Sequence, residues 1–159
     1  MGLTATIILI GVLVLVFIQD FKNRAIHVML PIGLLLAALV VNYTSNHLRL
    51  LDIAYNILFV LINLFGLMLY LSFKEKHFIN PIDTYLGLGD IVFFLAVTPL
   101  FNFKSFILFF IFGLLFSLLL HIGLKWMIKI NSIPLAGYLS LFLMLIIVDR
   151  HLLKINPFF

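Results

Sequence analysis

With 65% hydrophobic residues, 10% charged residues and a mean hydropathy of +1.29 over 159 residues, the chain is too apolar for a water-soluble domain, where about a quarter of residues are charged. It contains no cysteine, which excludes disulfides, thiolate nucleophiles and Cys-ligated zinc. The net charge of +4 comes without a dense basic run. A nucleic-acid surface is therefore not expected, and Lys and Arg in so apolar a chain report topology and lipid contact.

Several apolar runs approach the ~20 residues that cross a bilayer. The expected fold is an all-α integral membrane protein, with one transmembrane domain over residues 1–159 and a bundle of about six transmembrane helices. The first helix is expected from Leu3 to Gln19, ended by the polar stretch Asp20-Phe21-Lys22-Asn23-Arg24. No Lys or Arg precedes this run, so it reads as a retained helix with its N-terminus outside rather than a signal peptide. The second helix is expected from Ile26 to Val41, with Pro31 tolerated near its start. The third runs from Asp52, as N-cap, to Phe73, with Asn56, Asn63 and Gly66 on one face turned into the bundle.

A polar loop, Lys74 to Asp83, leads to the fourth helix, which starts near Gly87 to Asp90 and ends by Pro99. The fifth is expected from Lys104 to Ile130. Gly113 and Ser117 give it a small-residue packing face, and Lys125, Trp126 and Lys129 mark a membrane interface. The sixth is expected from Pro134 to Val148, followed by a short tail. With the N-terminus outside, six basic residues (Lys22, Arg24, Lys74, Lys76, Lys125, Lys129) fall on the inner side. Four (Arg49, Lys104, Arg150, Lys154) fall on the outer, a modest positive-inside bias. The 18 phenylalanines read as lipid-facing bulk.

The informative residues are the acids. This topology puts Asp20, Glu75, Asp83 and Asp90 at the inner face, and Asp52 and Asp149 at the other. An ionised acid deep in a bilayer costs about 2.5–3.5 kcal/mol on insertion scales, so it usually has a partner, a wet cavity or a function. Asp20 closes the first helix and Asp90 opens the fourth, at the same depth. Two carboxylates meeting in a partly dry site share a proton near neutral pH. One can then act as base toward water while the other donates, which suits amide hydrolysis without a metal.

Simpler readings stand beside this one. Asp20 could be a helix-end acid paired with Lys22 or Arg24, and Asp90 a plain N-cap. Gly87 and Gly89 favour a site, because a simple cap needs neither; glycine permits unusual backbone conformations and close approach of another segment. Asp83 follows Pro81 as a turn residue near the site, and Glu75 between two lysines reads as solvated. His27 and His77 match no metal-ligand spacing, and His121 reads as a hydrogen-bonding residue of the bundle.

Three stretches together resemble the peptidase core of the prepilin (type IV leader) peptidases and archaeal preflagellin peptidases. They are Asp20-Phe21-Lys22-Asn23-Arg24-Ala25-Ile26, Gly87-Leu88-Gly89-Asp90 and Ile133-Pro134-Leu135-Ala136-Gly137-Tyr138-Leu139. The first is similar to the family's Asp followed six residues later by Ile, the second to its GxGD, the third to its late Ile-Pro segment.

The resemblance implies a membrane aspartyl endopeptidase. It would cut the short basic leader of pilin-like precursors at the cytoplasmic face of the cell membrane. Asp20 and Asp90 would be the catalytic pair; Gly87, Gly89, Asp83 and Pro134 would shape the backbone or the substrate path. No cofactor or metal is implied, and the partners are the precursor and membrane lipid. His27 stands where the family often has Pro, and Val92 where it often has Lys; both differences bear on leader recognition rather than cleavage. The family's N-terminal cysteine-paired segment is absent, so peptidase activity without methyltransferase activity is expected. GLGD also looks like the presenilin and signal peptide peptidase group, which has a Tyr-Asp motif and more helices, whereas Gln19 precedes Asp20 here. A non-enzymatic alternative is a proton-coupled transporter or assembly factor, which favours acids near the midplane and an internal repeat; none is visible.

Overall fold

A computed structural model describes residues 3–23, 26–44, 50–75, 87–125 and 133–153. Among them every regular element is helical: α1 (Leu3–Asn23), α2 (Met29–Thr44), α3 (Leu50–Glu75), α4 (Leu88–Val97), a 3-10 turn (Thr98–Leu100), α5 (Phe103–Lys125) and α6 (Leu135–Leu153). At 1.5 Å per residue, α1, α3 and α5 are roughly 31, 39 and 34 Å long, enough to cross a bilayer. These three are also apolar enough to do so; α2, α4 with its 3-10 turn, and α6 are shorter apolar helices. The chain is thus an all-helical protein with the character of a membrane protein.

Burial follows one stripe on α1. Ala5, Leu9, Leu13, Val16 and Asp20 are buried, at spacings of three and four residues that keep them on one face. The opposite face exposes Ile7, Ile8, Leu15 and Ile18. In water such exposure would be a large apolar patch; against lipid it needs no cover. α6 answers the α1 stripe with Ala136, Leu139, Ser140, Leu143 and Ile147, all buried, and these two helices pack together, with α2 on the other side of α1 and α5 on the other side of α6. Asp20 therefore lies on the seam between α1 and α6, not on the lipid face.

α4 is the inner element. Ile91, Phe93, Phe94, Ala96 and Val97 are buried, and the helix packs on α2 and α6. It stops because Pro99 cannot continue the hydrogen-bond ladder. Asn56 of α3, fully buried, donates to the Thr98 and Phe101 carbonyls at 3.0 and 2.9 Å. Asn42 near the end of α2 donates to the Pro99 carbonyl. Two side-chain amides thus satisfy the carbonyls that the break exposes, where lipid has no donors. Asn102 then caps α5, its Oδ1 accepting the Ser105 amide at 2.9 Å.

Several expected details differ. α1 continues through Asp20 to Asn23, so Asp20 lies in its last turns rather than beyond its end. α2 starts at Met29, after a turn held by the His27 carbonyl and the Leu30 amide (2.9 Å). Asp52 sits inside the first turn of α3 and is not its N-cap. α6 runs on to Leu153, taking in the first five residues of the expected tail, 149–153; residues 154–159 lie outside the described residues. Of the face Asn56, Asn63 and Gly66, only Asn56 enters the bundle. Asn63 is exposed and bonds its own helix at the Phe59 carbonyl, 2.8 Å away, and a Cβ at Gly66 would meet open space. In an evenly apolar helix the polar residue that turns inward is the one with a partner on another element; Asn56 meets the Thr98 and Phe101 carbonyls, whereas Asn63 bonds within its own helix.

The phenylalanines are also not merely lipid-facing. Phe93, Phe94, Phe101, Phe106 and Phe109 are buried. Phe94 meets Phe110 with centroids 4.9 Å apart, and Phe101 stacks on Phe109 at 4.8 Å. The short α4 leaves space within the bundle that rings are large enough to fill. On α5, a Cβ at Gly113 would come within 2.7 Å of Leu139 Cδ2, so this small residue does set the approach of α6. The buried Ser117 bonds back to the Gly113 carbonyl at 2.8 Å. Trp126 and Lys129 lie outside the described residues.

Candidate functional site: two carboxylates on one helix N-terminus

The first amides of any α-helix have no partner within the helix. In α6 the ladder begins at Tyr138, whose amide reaches the Pro134 carbonyl at 3.1 Å. Ala136 and Gly137, the second and third residues of the helix, spend their N–H groups elsewhere. The Ala136 amide donates to Asp90 Oδ1 at 2.8 Å, and the Gly137 amide donates to Asp20 Oδ2 at 2.6 Å. Two acids 70 residues apart in the chain therefore meet on consecutive peptide groups, whose Cα atoms are about 3.8 Å apart. Both bonds are short, and the helix N-terminus adds its partial positive charge, which favours negative charge on the pair. Each carboxylate also lies in the field of the other.

Asp20 is 5% exposed, so it is not a solvated acid at a membrane boundary. Arg24, one of the partners considered for it, lies outside the described residues. Asp90 is half-buried. It is not the N-cap of α4, since Gly87 holds that place with an ordinary extended backbone, φ −68° and ψ 139°. Asp90 is the third residue of α4; its carboxylate turns back to the Gly87 amide and its own amide donates to the Gly87 carbonyl at 3.0 Å. Asp90 thus makes the half of a capping box that reaches back to the N-cap amide; Gly87, without a side chain, makes no other half.

The two glycines of the motif act through space rather than through unusual dihedrals. A Cβ at Gly87 would lie 3.3 Å from Asp90 Oδ2. A Cβ at Gly89 would lie 3.2 Å from Ile26 Cβ and Cδ1. Gly89 thereby seats α4 directly on the turn that follows Asp20, which links the first two motifs. Pro134 is buried immediately before α6. Asp83 and His77 lie outside the described residues.

His27, where the resembling family often has Pro, is exposed and serves the α1–α2 turn. Its amide donates to Gln19 Oε1 at 3.1 Å, a bond that Pro has no N–H to make. Val92 is half-buried within α4. His121 lies on α5 with its ring centroid 6.5 Å from that of Tyr138, the residue after Gly137. Its Nδ1 is buried and has no hydrogen-bond partner among the described residues. Among the described residues no three His, Asp or Glu side chains gather where a metal ion would be held.

The residues that sequence reasoning missed are Ala136 and Gly137, because their contribution is a backbone N–H. The available signal was Gly137 itself: a Cβ there would come within 3.1 Å of Asp20 Oδ2 and 3.4 Å of Asp20 Cβ. Comparison with protein-family models, with curated proteins and with solved structures gives no match.

Proposed function

We propose that this chain is a membrane aspartyl endopeptidase. Its substrates would be pilin-like precursors, cut at the end of a short basic leader on the cytoplasmic face of the cell membrane. The observation that carries the proposal is the meeting of Asp20 and Asp90 on neighbouring amides at one end of the bundle. The class of substrate rests on the resemblance of the three motifs to the prepilin peptidases. In this reading all six helices cross the membrane or enter it, and the end bearing Asp20, Asp90 and the start of α6 faces the cytoplasm.

The precursor's leader lies across that end while its apolar helix stays in lipid. The acid that holds the shared proton polarises the scissile carbonyl. The other takes a proton from the attacking water. The amides of Ala136 and Gly137 hold one oxygen of each acid, Asp90 Oδ1 and Asp20 Oδ2, and so set the orientation of both carboxylates. The transporter alternative is less well supported, since the acids stand at helix ends rather than at mid-height of a repeat.

Asp20→Asn and Asp90→Asn are each expected to abolish cleavage of a co-expressed precursor while the protein still inserts into membranes. Cleavage by wild type should survive EDTA. Retained cleavage in either variant would remove that residue from the pair, and loss with EDTA would point to a metal instead.

A further inference from the structure

We infer that α6 begins without a cap of its own so that Asp20 and Asp90 can serve as its caps, and that Pro134 and Gly137 are the positioning residues for the pair. An N-cap Ser, Thr, Asp or Asn normally bonds the amide of the second or third helical residue. Pro134 holds that place here, buried and without a polar side chain. The second and third amides are the two that reach Asp90 and Asp20. One acid comes from the last turns of α1 and the other from the first turn of α4. The start of α6 is therefore the template that fixes their separation.

Gly137 completes the device. Asp20 Oδ2 and Cβ press on it at distances that leave no room for a methyl group without a shift of a few tenths of an ångström. A Cβ at Gly87 would likewise lie 3.3 Å from Asp90 Oδ2. A side chain at either glycine would therefore displace one acid of the pair. The structural half of this inference stands without any assumption about activity; the catalytic half rests on the peptidase reading.

Nitrogen-15 NMR of the intact protein in nanodiscs tests the structural half. Asp20→Asn should move the Gly137 amide resonance upfield and leave that of Ala136 nearly in place; Asp90→Asn should do the reverse. If neither amide responds to its acid, the template is wrong, whatever the activity. Cleavage of a precursor tests the catalytic half. Gly137→Ala should lower kcat by about tenfold with KM little changed, as expected when reacting groups are displaced by a fraction of an ångström. Pro134→Ser supplies a competing local cap and should lower kcat further than Pro134→Ala, which supplies none. Equal kcat in Gly137→Ala and wild type, or no difference between the two Pro134 variants, would overturn the positioning role. Responding amides in a wild-type protein that cleaves no precursor would uphold the template and remove the peptidase reading.

Discussion

At the scale of single residues, the site is made by what is absent as much as by what is present. Gly87, Gly89 and Gly137 each stand where a Cβ would press on a neighbour, and two of those neighbours are the acids themselves. Gly89 is the one whose neighbour, Ile26, is apolar, so it isolates packing from chemistry. Gly89→Ala is predicted to destabilise by about 1–3 kcal/mol, the usual cost of overpacking, read as a lower thermal midpoint in detergent. Ile26→Ala removes two of the three atoms that the new methyl would meet, Cγ1 and Cδ1, and leaves the Cβ. The double variant should then lose less than the sum of the two singles, because the sites touch. Additive losses would mean that α4 does not seat on the Asp20 turn as described.

The pair of acids was legible in the sequence through their motifs, because carboxylates in so apolar a chain are conspicuous. Their partners were not. A backbone N–H has no letter of its own, and only the approach of three distant segments shows which amides are used. For the same reason the sequence could suggest that Gly87 and Gly89 permit either unusual dihedrals or close approach. The structure shows close approach, with an ordinary backbone at Gly87.

Among the elements, the break after α4 is the most dependent on side chains from elsewhere. Asn56 answers two carbonyls there and is wholly buried, whereas Asn63, seven residues on, bonds only its own helix and is exposed. Asn56→Leu should therefore cost about 1–3 kcal/mol by leaving buried carbonyls without donors. Asn63→Leu should be nearly neutral. Thermal unfolding of both in the same detergent checks this; equal effects would contradict the role given to the α4 break. The sequence did mark this break, through Pro99. It did not separate Asn56 from Asn63, because a helix apolar on all sides carries little periodic signal to say which face turns inward. Helix ends erred for a related reason. Asp20 and Asp52 read as terminators, yet each lies within its helix: the dipole favours Asp52 in the first turn of α3, whereas Asp20 stands in the last turns of α1 against the dipole of its own helix and is met there by the Gly137 amide.

For the molecule as a whole, hydrogen bonds gather the end of α1 and the starts of α2, α4 and α6 at one pole among the described residues. The break after α4, the end of α2 and the start of α3 gather at the other. If the first pole is cytoplasmic, His27→Cys and Leu88→Cys, both at exposed positions, should react with an impermeant thiol reagent only from that side. Tyr43→Cys and Leu50→Cys, exposed at the other pole, should react only from outside. The absence of native cysteine makes these labels unambiguous. Labelling of all four from one side would contradict this arrangement. Hydropathy was enough to find the helices, since lipid demands continuous internal hydrogen bonding. The sequence marked α4 as short, between Gly87 and Pro99, but not as an inner helix packed among phenylalanine rings.

The proposal stands or falls on whether Asp20 and Asp90 act as one unit, and cleavage by three reconstituted variants measures that most directly. Asp20→Asn, Asp90→Asn and the double substitution should all reduce precursor cleavage to the same floor, because removing either half of a cooperating pair leaves nothing further to lose. A single variant that keeps measurable cleavage, with a further drop in the double, would show two independent acids and contradict the account.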